Sequence, residues 1–356
     1  MKTEDLFLQM VRSGIGQSPL STYPESIDWY GVTALAESHG LSGILLDGME
    51  RIPSAMKPAR KDLLRIIGSV LHAEEAFGRQ WKSACELASL YSKNGIRTYV
   101  LKGYVISECY PNPKHRPSVD LDCFLTPVQG DGDVWELGNQ LVEKLGYNVD
   151  RSFYKNSAFS LPGLAVENHH FMVPVRGNRT MKSLERVLQS YIYGDKGEDV
   201  IDGTCLYRPP VLMSALFLIE HSYSHFLHEG LIWRHVLDWM MFRRKHIHEI
   251  DWNTFDALID EFGFRRFYDS YYHLGKYLLG EMEEADLTES DKKMLADVWA
   301  PLDLHELMEG LKWRFVMAGN TWRARWKYRY FTPISMPRAL WMQVMGYLFE
   351  RHPKLD

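Results

Sequence analysis

The 356-residue chain reads as an α+β protein, with a small mixed β-sheet core set between a helical N-terminal segment and a helical C-terminal half. Three observations predict this. Up to about residue 93, apolar residues recur every three or four positions, the period of an amphipathic helix, and no strand pattern interrupts them. After Asn94-Gly95, which stops the last of these helices as a C-terminal glycine cap does, several short runs follow a period of two. Beyond Pro209 the helical period returns. The chain therefore divides into residues 1–93, 94–205 and 206–356.

The elements follow in order. ALAESHGLSGILLDGM (34–49) and LLRIIGSVLHAEEAFGRQWKSACELASLYSKNG (63–95) carry the N-terminal helical pattern. TYVL (98–101) is a short strand and VDLDCFL (119–125) an alternating one. DVWELGNQLVEKLG (133–146) is an amphipathic helix capped by Gly146, and LAVENHHFMV (164–173) is extended. Segments 147–155 and 157–161, joined through Asn156, are expected to form a hairpin. VLMSALFLIEHSYSHFLHEG, IWRHVLDWMMFRRKH, WNTFDALIDEFG and FRRFYDSYYHLGKYLLG then follow as helices with short breaks.

Composition bounds the function. Hydrophobic residues at 46% and charged residues at 24% are ordinary for a globular protein with a real core. The net charge of -5 argues against a dedicated nucleic-acid binder, because affinity for a phosphate backbone rests on clustered Lys and Arg. VLMSALFLI (211–219) falls well short of the roughly 20 residues that cross a bilayer. Glu4 and Asp5 stand where an export signal needs a basic start, and Cys85, Cys109, Cys123 and Cys205 form no CxxC pair. A cytoplasmic location with reduced thiols, and no membrane association, is expected.

The chemistry concentrates in LKGYVISECYPNPKHRPSVDLDCFL (101–125). In a strand, Asp120 and Asp122 emerge on one face while Val119, Leu121 and Cys123 take the other. Two neighbouring carboxylates repel, and partial burial makes the pair costly unless a cation neutralises it. Mg²⁺, a hard ion that keeps waters and substrate phosphates beside one or two carboxylates, is the natural compensation. Before the pair runs a basic turn, Asn112 to Ser118, and before that a strand, Lys102-Gly103 and a helix. A glycine at a strand-to-helix turn lets backbone approach phosphate oxygens, and the first amides of the helix favour anions. Lys102 and Arg116 read as phosphate contacts or as plain solvated charges, with Arg116 alternatively a partner for the aspartates.

This segment resembles the uncharacterised bacterial nucleotidyltransferase family of the DNA polymerase beta-like superfamily. The resemblance is carried by Leu101-Lys102-Gly103, then Tyr110, Pro111 and Pro113, then Arg116, Asp120 and Asp122. It extends to about residue 245 through the helical segment with His221, His225, Arg234 and Asp238. It implies a short mixed sheet flanked by helices, two Mg²⁺ ions, a nucleoside triphosphate substrate such as ATP, and an unidentified acceptor hydroxyl on a small molecule or protein. It also implies a third carboxylate on a later strand, which Glu167 matches, with His169 matching the family's histidine. Gly103 and Ser118 join Lys102 and Arg116 as the expected nucleotide contacts. A Ser commonly follows the turn glycine in the wider superfamily, whereas Tyr104 stands here. That departure opens the alternative of a catalytically inactive nucleotide-binding or protein-interaction module on the same fold.

His221 and His225 lie one helical turn apart, but Ser222, Tyr223 and Ser224 between them give no HExxH arrangement, so no zinc is expected. That face is expected to pack on the α/β unit or border the cleft. Arg234 and Asp238 read as an i,i+4 pair. The basic, aromatic runs at 264–272 and 311–331 carry an interleaving that can bind nucleic acid or a nucleotide base, but in a chain acidic overall they read first as helix surfaces whose basic stems cover aromatic rings.

Overall fold

The computed structural model describes residues 2–18, 24, 26–130, 132–195, 197, 199–201, 203–300, 322, 324–350 and 352–355. Helices α1 (Thr3–Gly14), α2 (Trp29–Ser38), α3 (Ser42–Glu50) and α4 (Arg60–Lys93) come first. The sheet region follows as β1 (Ile96–Val100), α5 (Tyr104–Ser107), β2 (Asp120–Pro127), α6 (Trp135–Lys144), β3 (Asn156–Leu161), β4 (Leu164–His169), α7 (Arg179–Gly194) and β5 (Leu206–Tyr207). Helices α8 (Val211–His228), α9 (Trp233–Lys245), α10 (Trp252–Glu261), α11 (Arg265–Leu278), α12 (Glu289–Trp299), α13 (Arg325–Phe331) and α14 (Met336–Phe349) complete the described chain. The fold is the expected α+β arrangement with one mixed sheet.

The five strands lie in the order β3-β4-β2-β1-β5. Strand β2 is central, antiparallel to β1 and parallel to β4. Its alternation sorts two cores: Leu121, Cys123 and Leu125 pack with Ala84, Leu87 and Tyr91 of α4 and with Leu141 and Val142 of α6. Phe124, on the opposite face, joins the larger core built from α1–α3, α7–α9 and α11. Asp120 and Asp122 share that second face, toward the C-terminal helices. Val119 does not join the core face as expected: β2 starts one residue later, and Val119 is 70% exposed beside Pro117-Ser118.

The hairpin differs from the expectation. Strand β3 pairs with β4, not with 147–155, and the connection is Pro162-Gly163, with Gly163 at φ 74° supplying the positive dihedral a two-residue turn needs. Segment 147–155 contributes only the bridge from Asp150 to Ala158. Strand β4 also ends at His169 rather than reaching Val173. The amides of His170 and Phe171 turn back to Lys155 O, and those of Met172 and Val173 donate to the buried Glu185 carboxylate of α7 at 2.9 Å each. These amides are thereby satisfied outside the ladder. The N-terminal helical run is broken at Gly40, φ 67°, which separates α2 from α3. Most of the basic, aromatic run at 311–331 lies outside the described residues, of which only 322 and 324–331 belong to it.

Candidate functional site

Parallel pairing of β2 and β4 sets Asp122 in register with Glu167, so the two carboxylates stand side by side on one face of the sheet. His169, two residues along β4, shares that face. Its Nε2–H donates to Asp122 Oδ1 at 3.1 Å and lies 3.5 Å from Glu167 Oε2, while Nδ1–H donates to Phe171 O at 3.1 Å. Both ring nitrogens face acceptors, an arrangement that favours the protonated imidazole. Burial pulls its pKa down, and the two carboxylates outweigh burial to raise it above the ordinary value.

One ligand atom from each of Asp122, Glu167 and His169 falls within 4.8 Å of the others; among the described residues no other group of three His, Cys, Asp or Glu does so. Asp122 Oδ2 is buried, and no donor is aligned to it. Lys102 Nζ faces it at 3.2 Å as an ion pair. Burial alone would raise the Asp122 carboxyl, but Lys102 and His169 hold it below the usual carboxylate range. His169 lowers Glu167 in the same way, through a hydrogen bond. Asp120 goes the other direction: burial and the neighbouring Asp122 charge raise its carboxyl. Asp122 and Glu167 are the carboxylates of the converging group, oxygen donors of the kind a hard divalent cation such as Mg²⁺ takes, and Asp120, on the same face of β2, lies outside that group. His169 completes the converging group, hydrogen-bonded to Asp122 Oδ1.

Beside Asp120 opens a cleft of about 180 Å³ between the β2 approach and α8–α9, lined among others by Lys102, Gly103, Ser118, His221, His225 and Arg234. Gly103 has φ 69°, and a Cβ there would meet Ser118 Oγ at 2.5 Å, so any side chain at the turn is strained. Helix α5 after it is a single turn, shorter than the expected helix. Tyr104 is buried against Phe77 and Trp81, ring centroids 5.0 and 4.9 Å away, and does not line the cleft. The hydroxyl that stands against the turn glycine is that of Ser118, which donates to Asp120 O at 3.0 Å.

The basic turn is anchored by two residues. His115 donates from Nδ1 to Asp47 at 2.7 Å and from Nε2 to Glu74 at 2.9 Å, tying the turn to α3 and α4. Arg116 is buried, and its fork grips both oxygens of Asp238, while its Nη1 donates to Pro117 O at 3.2 Å. Asp238 thus serves Arg116 and the Tyr110 hydroxyl, and forms no ion pair with Arg234, the partner that spacing on the helix suggested.

His221 and His225 border the cleft as expected. Lys102 Nζ donates to His221 Nε2 at 3.2 Å, and His225 Nε2 lies 3.1 Å from the same nitrogen. Burial and the Lys102 charge push His221 well below the usual histidine value, leaving it a neutral acceptor. His225 Nδ1–H donates to Glu229 at 2.7 Å. The Lys102 contacts with Asp122 and His221, and the position of Arg234 over Pro117, were not legible from spacing, because each joins segments far apart in the chain.

No described helix is long and apolar enough to cross a membrane, and the four cysteines are free thiols. No curated protein and no solved structure matches the chain. A family model described as an uncharacterised nucleotidyltransferase matches residues 25–280, well over half of the chain and beyond the span the sequence motifs suggested. With a strand-borne carboxylate set, a glycine turn and a matching family model over most of its length, the chain belongs to the uncharacterised nucleotidyltransferase family.

Proposed function

We propose that the protein is a Mg²⁺-dependent nucleotidyltransferase that moves a nucleoside monophosphate from a nucleoside triphosphate, ATP being the leading candidate, to a hydroxyl of a small molecule or protein. The observation that carries the reading is the in-register pairing of Asp122 with Glu167, with Asp120 one step along the same face at the mouth of the cleft. When bound, Mg²⁺ would neutralise phosphate charge and ease deprotonation of the attacking hydroxyl, and Asp120, Asp122 and Glu167 would hold it.

The chain's own residues supply the rest. Gly103 lets the backbone approach the phosphates closely, and Ser118 and Lys102 stand beside it as polar contacts. Arg116 contributes by fixing the turn through Asp238 rather than by reaching the nucleotide with a free fork. The acceptor oxygen forms a bond to the α-phosphorus, the α–β bridging bond breaks, and pyrophosphate leaves with the electron pair. The acceptor proton passes to Glu167, which is 41% exposed on the cluster's edge and kept ionised by His169. Reading the fold as an inactive binding module drew on Tyr104; its burial in the aromatic cluster with Phe77 and Trp81 weakens that ground.

A co-crystal with Mg²⁺ and a non-hydrolysable ATP analogue tests the proposal. Phosphates beside Gly103 and metal density touching Asp120 and Asp122 are expected; a nucleotide seated away from both would overturn it.

A further inference from the structure

Three cations line or border the cleft, and two of them have carboxylate partners. Lys102 is paired with Asp122, and Arg116 with Asp238. Arg234, on α9, has no carboxylate within ion-pair distance among the described residues. Its Nη1 donates to Pro117 O at 3.4 Å, and its buried Nε has no acceptor. Asp238, four residues on, is already committed to Arg116 and Tyr110. The stem of Arg234 is braced over Gly40, where any Cβ would come within 3.3 Å of it, so the guanidinium is held in place rather than trailing in solvent. A guanidinium held in place at the cleft wall with no carboxylate partner is an incomplete ion pair, and the missing half is an anion with several oxygens. Burial and the neighbouring Arg116 charge push the Arg234 pKa down, and the charges of Asp238 and Asp120 offset this only in part.

The direction of the cleft says which anion. Its lining includes Asp120 and Arg234 but none of Asp122, Glu167 and His169. On the nucleotidyl-transfer reading, on which this inference rests, the phosphorus under attack lies at the carboxylates. The leaving end of the triphosphate then extends from Asp120 into the cleft, toward α9. We infer that Arg234 grips the pyrophosphate end of the triphosphate, making the cleft selective for nucleoside triphosphates over monophosphates.

The test is calorimetric titration of the full chain with ATP, AMP and inorganic tripolyphosphate, each with Mg²⁺, for the wild type, Arg234→Met and Arg234→Lys. Arg234→Met is expected to weaken ATP and tripolyphosphate by about tenfold to a hundredfold while AMP stays within about twofold; Arg234→Lys, which keeps charge but loses the fork, is expected to lose at least about threefold for ATP. Equal weakening of ATP and AMP, or unchanged ATP binding, overturns the inference. Should Arg234→Met fail to fold, Arg234→Lys decides by the same comparison. A wild type that binds neither ATP nor tripolyphosphate sinks the nucleotidyl-transfer reading itself, whereas a wild type that binds ATP beside unaffected variants sinks the role of Arg234 alone.

Discussion

Arg116 closes a two-point ion pair on Asp238, with Nη2 2.6 Å from Oδ2 and Nε 3.0 Å from Oδ1, both side chains buried. The pair joins the turn before β2 to α9 and so sets the distance between the carboxylate strand and the far wall of the cleft. Replacing Asp238 by Asn leaves the Arg116 charge buried without its counter-charge. A loss of about 3–5 kcal/mol in urea unfolding is expected. A loss below about 1 kcal/mol, the range of exposed pairs, would show that the pair does not brace the cleft.

Gly103 gives a second prediction. Its φ of 69° and the 2.5 Å approach of a would-be Cβ to Ser118 Oγ both oppose a side chain. Gly103→Ala is expected to cost about 1–3 kcal/mol and to weaken nucleotide binding. Gly103→Ala combined with Ser118→Gly removes the clash but not the dihedral strain, so it is expected to recover only part of the stability. Full recovery would show that the backbone conformation is not required.

Tyr104 gives a third. Its hydroxyl is buried without a hydrogen-bond partner. Tyr104→Phe removes that unsatisfied group and keeps the ring between Phe77 and Trp81, so stability is expected to hold or rise by up to about 1 kcal/mol, with nucleotide affinity unchanged. A marked loss of nucleotide affinity in a folded Tyr104→Phe variant would return the hydroxyl to the site.

His39 gives the pH dependence. Its ring is buried between Phe7 and Trp299 and accepts from Trp233 N through Nδ1, and burial pulls its pKa from 6.5 to about 4. As pH falls below 6.5 the unfolded chain takes up this proton first. Stability from neutral burial is therefore complete above pH 6.5, declines between about 6.5 and 4, and is lost below. The shift corresponds to roughly 3 kcal/mol. Unfolding at pH 7 and pH 4.5 should show His39→Gln narrowing that difference; an equal acid loss in both proteins would contradict it.

Much of this architecture was legible in the sequence because it rests on local periodicity. The Asp120-x-Asp122 alternation needed only the two-residue period of a strand, and Glu167 followed from the resemblance that named a later carboxylate strand. What escaped was decided by tertiary partners. Residues 170–173 look extended, yet Lys155 O and Glu185 draw their amides out of the ladder. Strand β3 has an alternating neighbour on each side, and only the Pro162-Gly163 turn selects β4. Asp238 has Arg234 four residues away on its own helix, but Arg116, 122 residues distant, takes both of its oxygens. Helical spacing cannot foresee a fork arriving from another element.

The central claim is that Asp122, in register with Glu167 and converging with it and His169, forms a divalent-cation site that secures a nucleotide. Its most direct test is ATP affinity with and without Mg²⁺ for the wild type and Asp122→Asn, each checked for folding by thermal unfolding. Wild-type affinity should rise at least about tenfold with Mg²⁺, and the folded Asn variant should show no such gain. A Mg²⁺-dependent gain of equal size in both proteins would contradict the account.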